Sequence, residues 1–357
     1  MSVSATHELR MHGDRLVRAG MLDFAVNVWR GTQEAGLLVA MADALRSTSY
    51  PDQQAARAAI ASRHRRPLAE TMALAGACEA FWLLAHALPI RHAACIHPSF
   101  TEAEAALRAA GRRVSRVARR AGDFALQVDA VPEDADFVVL ANPNNPTGNL
   151  DSPDQIERLA RPGRTLLLDE SFIDFVCDAD ASLAERQDLP GLVVLRSLTK
   201  LWALPGVRAG YLLASADVVG RLEAHRQPWS VSAPALAAIA MCLADVQTPR
   251  RVAEAVAAAR ADLICRLGAI AGLRTWPAAA NFALLQAPPG SALAARLAAQ
   301  GIAVRPCDSF PGLSRDHLRI AVRTPAEHAL LAAAIARVLG GGEGEGMASA
   351  AEGAARG

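Results

Sequence analysis

One short stretch of the sequence combines side chains that can attach a carbonyl compound and bind a phosphate. Lys200 ends the run Arg196-Ser197-Leu198-Thr199-Lys200, and Arg208 follows eight residues later. A lysine amine can form a Schiff base with an aldehyde, whereas hydroxyls and a guanidinium can bind phosphate oxygens. This combination predicts a site for pyridoxal phosphate, attached to Lys200 and contacted by Ser197, Thr199 and Arg208.

A second stretch has the pattern of a phosphate-binding loop. Gly76, Ala77 and Cys78 come directly before the helical run 79–88, so their backbone N–H groups would point at an anion from a helix N-terminus. Considered alone, this is an ordinary loop before a helix. Together with Lys200 and Arg208, we interpret it as the loop that binds the cofactor phosphate.

Two polar residues follow apolar strand candidates and suit the cofactor ring. Asp169 ends the run 165–169, and the carboxyl end of a parallel strand is where ligands collect. Its carboxylate would keep the pyridine nitrogen protonated; the alternative is an N-cap for a following helix. Asn145 lies in the Pro-Asn segment 142–148 and could donate to the ring oxygen; the alternative is a turn without a ligand.

The segments that must position these residues alternate between helical and strand patterns. We predict strands at 93–96, 113–117, 137–141, 165–169, 193–197 and 210–214, and crossover helices at 102–110 and 154–160. This alternation is typical of an α/β fold with a mainly parallel sheet covered by helices. The apolar stretch 72–90 contains Glu79, His86 and Pro89, so we predict a buried helix there and not a membrane span.

The last third of the chain has a different pattern. A long Ala-rich helical region reaches residue 271, followed by strand 281–286, helix 291–300 and strand 318–322, which indicates a smaller α+β domain. We therefore predict an N-terminal arm (1–45) that joins the small domain, a large cofactor-binding domain (46–232), the small domain (233–339) and a disordered tail (340–357), because that tail lacks large apolar side chains.

Composition excludes several classes of partner. The 37 basic and 36 acidic residues give a net charge of +1, which favours neither nucleic acid nor an anionic membrane. The six cysteines contain no C-x-x-C pair, which argues against a metal site or a disulfide framework. With no secretory signal pattern, we predict a cytoplasmic protein with a small-molecule partner.

Three segments in this order resemble the signature motifs of the class I/II aminotransferase superfamily: 142–148, 169–175 and 197–200. The resemblance extends from about residue 27 to 335, and it implies the fold of fold type I pyridoxal-phosphate enzymes. It also implies a role for each motif residue. Lys200 would attach the cofactor and carry protons, Asp169 would pair with the pyridinium, Asn145 would donate to the ring oxygen, and Phe100 would stack on the ring. Tyr50 resembles a tyrosine that reaches the neighbouring subunit's cofactor, which implies a homodimer.

The resemblance also implies which residues bind the substrate. Arg319 in the segment 318–323 would grip an α-carboxylate, and Arg323 of the same segment would also bind the substrate. Asn27 would line the pocket, and Asn145 would contact the substrate as well. Phe172 occupies a cofactor-contacting position where histidinol-phosphate aminotransferases usually carry a tyrosine. Its ring cannot donate to the cofactor's oxygen, so these motifs look more like the threonine-phosphate decarboxylases of cobalamin synthesis.

The expected activity is therefore decarboxylation of L-threonine-O-3-phosphate, a phosphorylated amino acid. A histidinol-phosphate-type aminotransferase is the first alternative, and a cofactor-binding paralogue without turnover is the second. The sequence contains neither the G-x-G-x-x-G turn of a nicotinamide dehydrogenase nor the Gly-rich loop of a nucleotide hydrolase. About twenty residues precede the family-like part, too few for the winged helix of a DNA-binding regulator.

Overall fold

The computed structural model describes residue 9 and residues 13–31 and 34–340. The predicted disordered tail, apart from Gly340, lies outside these residues, as does most of the start of the predicted arm. Within the described residues, the strands form sheets of seven, four and two strands.

The strands, in chain order, are β1 (Leu22–Asp23), β2 (Thr71–Leu74), β3 (His92–His97), β4 (Arg113–Ala118), β5 (Phe137–Ala141), β6 (Thr165–Asp169), β7 (Leu192–Ser197), β8 (Gly210–Leu213), β9 (Arg274–Thr275), β10 (Phe282–Gln286), β11 (Ile302–Ala303), β12 (Arg305–Pro306) and β13 (His317–Ala321). The described α-helices are α1 (Ala35–Leu45), α2 (Gln54–His64), α3 (Cys78–Ala87), α4 (Glu102–Ala109), α5 (Pro153–Glu157), α6 (Ala216–His225), α7 (Ala233–Ala244), α8 (Gln247–Gly268), α9 (Leu293–Ala299) and α10 (Pro325–Gly340).

The seven-stranded sheet, in the order β2-β8-β7-β6-β5-β3-β4, is the frame of the large domain. Strands β3 to β7 pair in parallel, and β8 runs antiparallel to both of its neighbours. On β5, Val138 and Leu140 pack into one apolar cluster while Phe137 and Val139 pack into another. Since successive side chains of a strand point to opposite faces, both faces of this sheet are buried. The predicted α/β fold is confirmed.

Part of the predicted helix at 72–90 is a strand. Residues Thr71–Leu74 form β2, which pairs antiparallel with β8 at the edge of the sheet. The helix α3 begins only at Cys78, after Gly76 takes a φ of +82° that favours glycine. The apolar run suits a buried strand and a buried helix equally well, and the pairing with β8 selected the strand.

The small domain contains the four-stranded antiparallel sheet β12-β13-β10-β9, with helices α9 and α10 and the end of α8. The N-terminal arm joins this domain. Strand β1 pairs in parallel with β11, and Phe24 packs in the same apolar cluster as Leu285 and Ile320.

The structural boundary between the two domains lies inside helix α8, later than the predicted residue 233. Helix α7 buries Leu236 and Ile239 in the cluster that covers the large sheet. On α8, Val256 belongs to that large-domain cluster, whereas Leu263 belongs to the small-domain cluster. The 22-residue helix α8 therefore connects the two cores. Ala-rich composition does not show this division, because it predicts a helix without showing which core buries it.

Candidate active site

A cavity of about 440 Å³ lies where β5, β6 and β7 end, and the small domain closes it from the other side. Because these strands are parallel neighbours, the loops at their carboxyl ends meet at one edge of the sheet. Most of the predicted site residues line this cavity: Asn27, Ala77, Cys78, Phe100, Asn145, Asp169, Phe172, Ser197, Thr199, Lys200, Arg208 and Arg319.

Lys200 follows β7 and lines the cavity. Burial lowers the pKa of its amine, and the nearby guanidiniums of Arg319 and Arg208 act in the same direction. A lowered pKa favours the neutral amine, which is the form that attacks a carbonyl or accepts a proton. The backbone carbonyl of Lys200 accepts a hydrogen bond from the Trp29 N–H at 2.9 Å.

Sequence reasoning missed one signal for this residue. Lys200 is the only lysine among the 357 residues of the chain, and every other residue in the count of lysines and arginines is an arginine. Arginine can replace lysine wherever only a positive charge is needed, but its guanidinium stays protonated and cannot act as an amine nucleophile. A lone lysine therefore marks a position that requires an amine.

Asp169 is buried at the end of β6. Its Oδ1 atom accepts hydrogen bonds from the Ser171 backbone N–H at 3.0 Å and from the Ser171 hydroxyl at 2.5 Å. Burial raises the pKa of the carboxyl, and only the Ser171 bonds and the charge of Lys200 oppose this. A protonated ring nitrogen in the cavity would stabilise the carboxylate further.

Residues that could hold a phosphate, a cluster we call the phosphate cradle, meet where α3 begins. Residues Ala77 and Cys78 line the cavity at the N-terminus of this ten-residue helix. The Ser197 and Thr199 hydroxyls lie 2.8 Å apart, so they can turn together toward an anion. Burial raises the pKa of the Cys78 thiol, which keeps it neutral beside a bound phosphate.

Gly76 and Arg208 fit each other closely in this cradle. A Cβ atom at Gly76 would lie 2.6 Å from Arg208 Nη2, and the φ of +82° is strained for any other residue. Arg208 itself has a φ of 62° and donates to the Pro205 carbonyl at 3.0 Å. The glycine therefore leaves the space that the guanidinium needs at the phosphate.

Gly76→Ala is expected to weaken cofactor binding about tenfold or more, because Arg208 must move and a charged hydrogen bond to the phosphate is lost. The dissociation constant of pyridoxal phosphate, measured by spectral titration of the apoprotein, tests this. Gly206→Ala is the matched control, since a Cβ there meets no atom within 4 Å. Equal affinity in the two variants would contradict the assignment of the cradle.

The cavity wall opposite Lys200 joins the two domains through Arg319 and Asn145. Arg319 Nη1 donates to Asn145 Oδ1 at 2.6 Å, and Nη2 donates to the Ala25 carbonyl at 2.8 Å. The amide nitrogen of Asn145 is then the group that can donate to a cofactor oxygen. Burial lowers the pKa of Arg319 to about 9, so it stays cationic at neutral pH.

Aromatic rings form two further parts of the lining. Phe172 packs edge-to-face on Phe282, with ring centroids 5.0 Å apart. The ring centroid of Phe100 lies 6.3 Å from that of Phe81, which also lines the cavity. Both lining positions supply apolar surface for a flat ring, and neither Phe100 nor Phe172 can donate a hydrogen bond from its side chain.

Three predicted site residues do not line the cavity. Gly76 lies behind Arg208, as described above. Tyr50 is 74% exposed and stacks on Trp229 with ring centroids 4.3 Å apart. Arg323 directs its guanidinium at the backbone carbonyls of the arm, whereas we predicted that it contacts the substrate. Arg319 lies within β13, whereas Arg323 follows the end of that strand and meets the arm.

The structure adds a second arginine that sequence reasoning missed. Arg305 lines the cavity and lies directly opposite Arg319 in the β12–β13 pair, and residues opposite each other in antiparallel strands share a face. Its Nη2 donates to Ser309 Oγ at 2.7 Å, and its guanidinium carbon lies 5.3 Å from the centre of the Phe310 ring. Recognising 305–306 and 317–321 as an antiparallel pair would have revealed it.

The cavity therefore fits pyridoxal phosphate on several independent observations. The space beside Gly76 holds a guanidinium that suits the phosphate, and buried Asp169 suits a cationic ring nitrogen. Lys200 supplies the one ε-amine of the chain. A large, mostly parallel sheet with a smaller C-terminal sheet domain and this site define a fold type I pyridoxal-phosphate enzyme.

Comparisons with known proteins agree with this class. The family model for aminotransferase class I and II matches residues 19–335. A Mycobacterium tuberculosis protein named histidinol-phosphate aminotransferase is 44% identical over 339 residues, covering 92% of this chain and 90% of its own length. The Salmonella typhimurium threonine-phosphate decarboxylase is 32% identical over 334 residues, covering 90% and 92%. The crystal structure of L-threonine-O-3-phosphate decarboxylase from Porphyromonas gingivalis has a TM-score of 0.81 at 26% identity, covering 90% of this chain and 100% of that chain.

The chain belongs to the aminotransferase class I and II family, and it is an enzyme whose cofactor is pyridoxal 5'-phosphate. The predicted superfamily, cofactor and enzymatic nature are confirmed. None of the helices in the part of the chain that the structure describes combines the length and apolarity that a bilayer span needs.

Proposed function

We propose that this enzyme is an aminotransferase acting on a phosphorylated amine, with histidinol phosphate as its substrate. The observation that carries the proposal is the pair Arg305 and Arg319, two buried guanidiniums on one face of the small-domain sheet that line the same cavity as Lys200. Two forks of donors suit the several oxygens of a phosphate dianion. The 44% identity to the Mycobacterium tuberculosis protein supports this substrate over the threonine phosphate that we first expected.

Each residue of the cavity would have a separate task. The cofactor, when bound, supplies an electron sink for the bond that breaks. Asp169 would hold the ring nitrogen protonated, and Arg208 would hold the phosphate. Lys200 Nζ, whose pKa burial lowers, would take the proton from the substrate carbon that bears the amine and later return one. Arg305 and Arg319 would hold the far end of the substrate.

Decarboxylation of L-threonine-O-3-phosphate is the second candidate. Phe172 favours it, because its ring lacks the hydroxyl expected in histidinol-phosphate aminotransferases, and the 32% identity to the Salmonella typhimurium decarboxylase supports it. The two reactions differ in which bond of the substrate carbon that bears the amine would break. Loss of its carboxylate would release CO₂, whereas loss of its hydrogen to Lys200 Nζ would lead to transamination.

Single-turnover mixing with histidinol phosphate, and separately with L-threonine phosphate, tests the proposal. We expect histidinol phosphate to convert the cofactor to its amine form without release of CO₂. Release of CO₂ from threonine phosphate, with the aldehyde form of the cofactor regenerated, would establish the decarboxylase instead. Binding of the cofactor with no reaction of either compound would favour a paralogue without turnover.

Arg305→Gln is expected to raise KM for the phosphorylated substrate about 10- to 100-fold, because a charged hydrogen bond to the phosphate is lost. The KM for histidinol, which lacks the phosphate, should rise much less. Steady-state kinetics with both compounds measures the difference. Arg315→Gln, at an exposed position of the same domain, is the control and should leave both KM values unchanged. An equal rise in KM for the two compounds would exclude a contact between Arg305 and the phosphate.

We also propose that the enzyme is a cytoplasmic homodimer in which Tyr50 reaches the partner's cofactor phosphate. The exposure of Tyr50 outside the cavity of its own chain supports this arrangement. Sedimentation equilibrium should give twice the mass of the chain. Tyr50→Phe should weaken cofactor binding without changing that mass, and a monomer with full cofactor affinity would contradict the proposal.

A further inference from the structure

Residues 23–28 of the N-terminal arm form one wall of the cavity, which we call the arm wall. Ala25, Val26, Asn27 and Val28 line the cavity. Asn27 is 3% exposed, and neither polar atom of its side chain has a hydrogen-bond partner among the described residues. A buried amide without a partner is unfavourable, so its position must be imposed by the backbone that carries it.

The small domain binds every carbonyl of the arm wall. Arg323 accounts for three of these bonds: to Asp23 at 2.8 Å, to Val26 at 2.6 Å and to Val28 at 3.2 Å. The other three carbonyls, of Phe24, Ala25 and Asn27, accept from the Ala321 N–H, the Arg319 guanidinium and the Asn281 amide. The six successive carbonyls of the arm wall are therefore all held by residues of the small domain.

Arg323 has no donor left for a substrate. A guanidinium carries five N–H donors, and five hydrogen bonds to the protein occupy them: the three arm carbonyls, the Val322 carbonyl at 3.1 Å and Asp23 Oδ2 at 3.4 Å. The side chain is 3% exposed. The Arg323 N–H is fixed in turn by His328 Nε2 at 2.8 Å.

The residue that follows the arm wall contacts Lys200. This residue, Trp29, donates its N–H to the Lys200 carbonyl at 2.9 Å. The Trp29 side chain packs against both the large-domain and the small-domain clusters. The arm wall is thus bound by Arg323 and is followed directly by Trp29, which binds the backbone of Lys200.

We propose that Arg323 is a positioning residue for the reaction. Its guanidinium holds the arm wall so that the Asn27 amide faces the substrate and the Trp29 N–H stays on Lys200. A planar fork can bind separate carbonyls at once, whereas a lysine ammonium at the same place cannot span them. The part that concerns substrate contact rests on the proposed aminotransferase function; the part that concerns the arm wall does not.

Hydrogen exchange of the cofactor-loaded protein tests the structural part without any substrate. In Arg323→Gln and in Arg323→Lys, peptides covering residues 21–31 should exchange about tenfold faster or more, because buried charged hydrogen bonds are lost. Peptides covering β5 should keep the wild-type rate, which separates a loosened arm from a destabilised protein. Arg337→Gln, at an exposed position of α10, is the control. Unchanged exchange in 21–31 in both Arg323 variants would overturn the proposal.

A double-mutant cycle with Asn27→Ala tests the functional part, using whichever amine the enzyme turns over. Arg323→Gln should raise KM about tenfold when Asn27 is present and much less in the Asn27→Ala background, because both changes act through one amide. Additive effects on KM would mean that Arg323 acts on the substrate independently, and would overturn the positioning role. If neither proposed substrate reacts, the proposed function fails while hydrogen exchange still decides the role of Arg323.

Discussion

Lys200→Ala is expected to lower kcat by a factor on the order of 10⁴, the largest effect of any single substitution in this chain. Burial lowers the pKa of Lys200 and so favours the neutral amine, which under our proposal would both attach the cofactor and move the proton. No other residue can take over, because the sequence has no second lysine. Initial rates with the substrate identified by single-turnover mixing measure the loss.

Two further experiments separate the amine from its charge. Lys200→Arg keeps a cation but supplies no nucleophilic amine, so it should be as inactive as Lys200→Ala. Borohydride reduction of the cofactor-loaded wild type should modify one peptide, the one that contains Lys200, and should leave the corresponding peptide of either variant unmodified. Activity within about tenfold of the wild type in Lys200→Ala would contradict the assignment.

Asp169→Asn is expected to lower kcat about 10³-fold, because it removes one partner of a buried charge pair, a change that costs about 3–5 kcal/mol. An amide of the same shape keeps the packing at the end of β6 but cannot stabilise a protonated ring nitrogen. The loss should appear in kcat, with a smaller change in affinity for the cofactor. Steady-state kinetics and spectral titration of the apoprotein measure the two quantities.

A cofactor analogue whose ring has carbon in place of the pyridine nitrogen provides the control. In the wild type, this analogue should lower kcat about as much as Asp169→Asn does. In Asp169→Asn it should cause little further loss, because the interaction is already absent. Ser171→Ala, which removes one of the two hydrogen bonds to Asp169 Oδ1, should have a smaller effect. Full activity of Asp169→Asn would mean that this carboxylate does not act on the ring.

The cofactor side of the site was largely predictable from sequence. Asn145 and Lys200 follow the apolar strands β5 and β7, and Asp169 ends the apolar strand β6. These three strands are adjacent and parallel in the sheet. Residues that follow parallel neighbours meet at one edge whatever the details of packing. The strand pattern and the chemistry of the side chains therefore led to the same cavity.

The substrate side was not predictable in the same way. Arg305 and Arg319 meet because β12 and β13 pair with these two residues opposite each other, and the two-residue strand β12 is too short to show a pattern. Arg319 and Arg323 look alike in sequence. Arg319 faces the cavity, while Arg323 turns four of its five donors to the arm, because the chain leaves β13 between them and the arm crosses there.

The kind of chemistry follows from single residues: a lone lysine, its hydroxyl and guanidinium neighbours and a carboxylate at the end of an apolar run are functional groups that can be recognised without a fold. Which groups from distant segments share the cavity depends on the tertiary structure. The fold made residues 71–74 a strand through pairing with β8, placed α7 in the large-domain core, and brought Trp29, next to the arm wall, against Lys200. These outcomes depend on contacts between residues far apart in the chain, and local sequence patterns do not indicate such contacts.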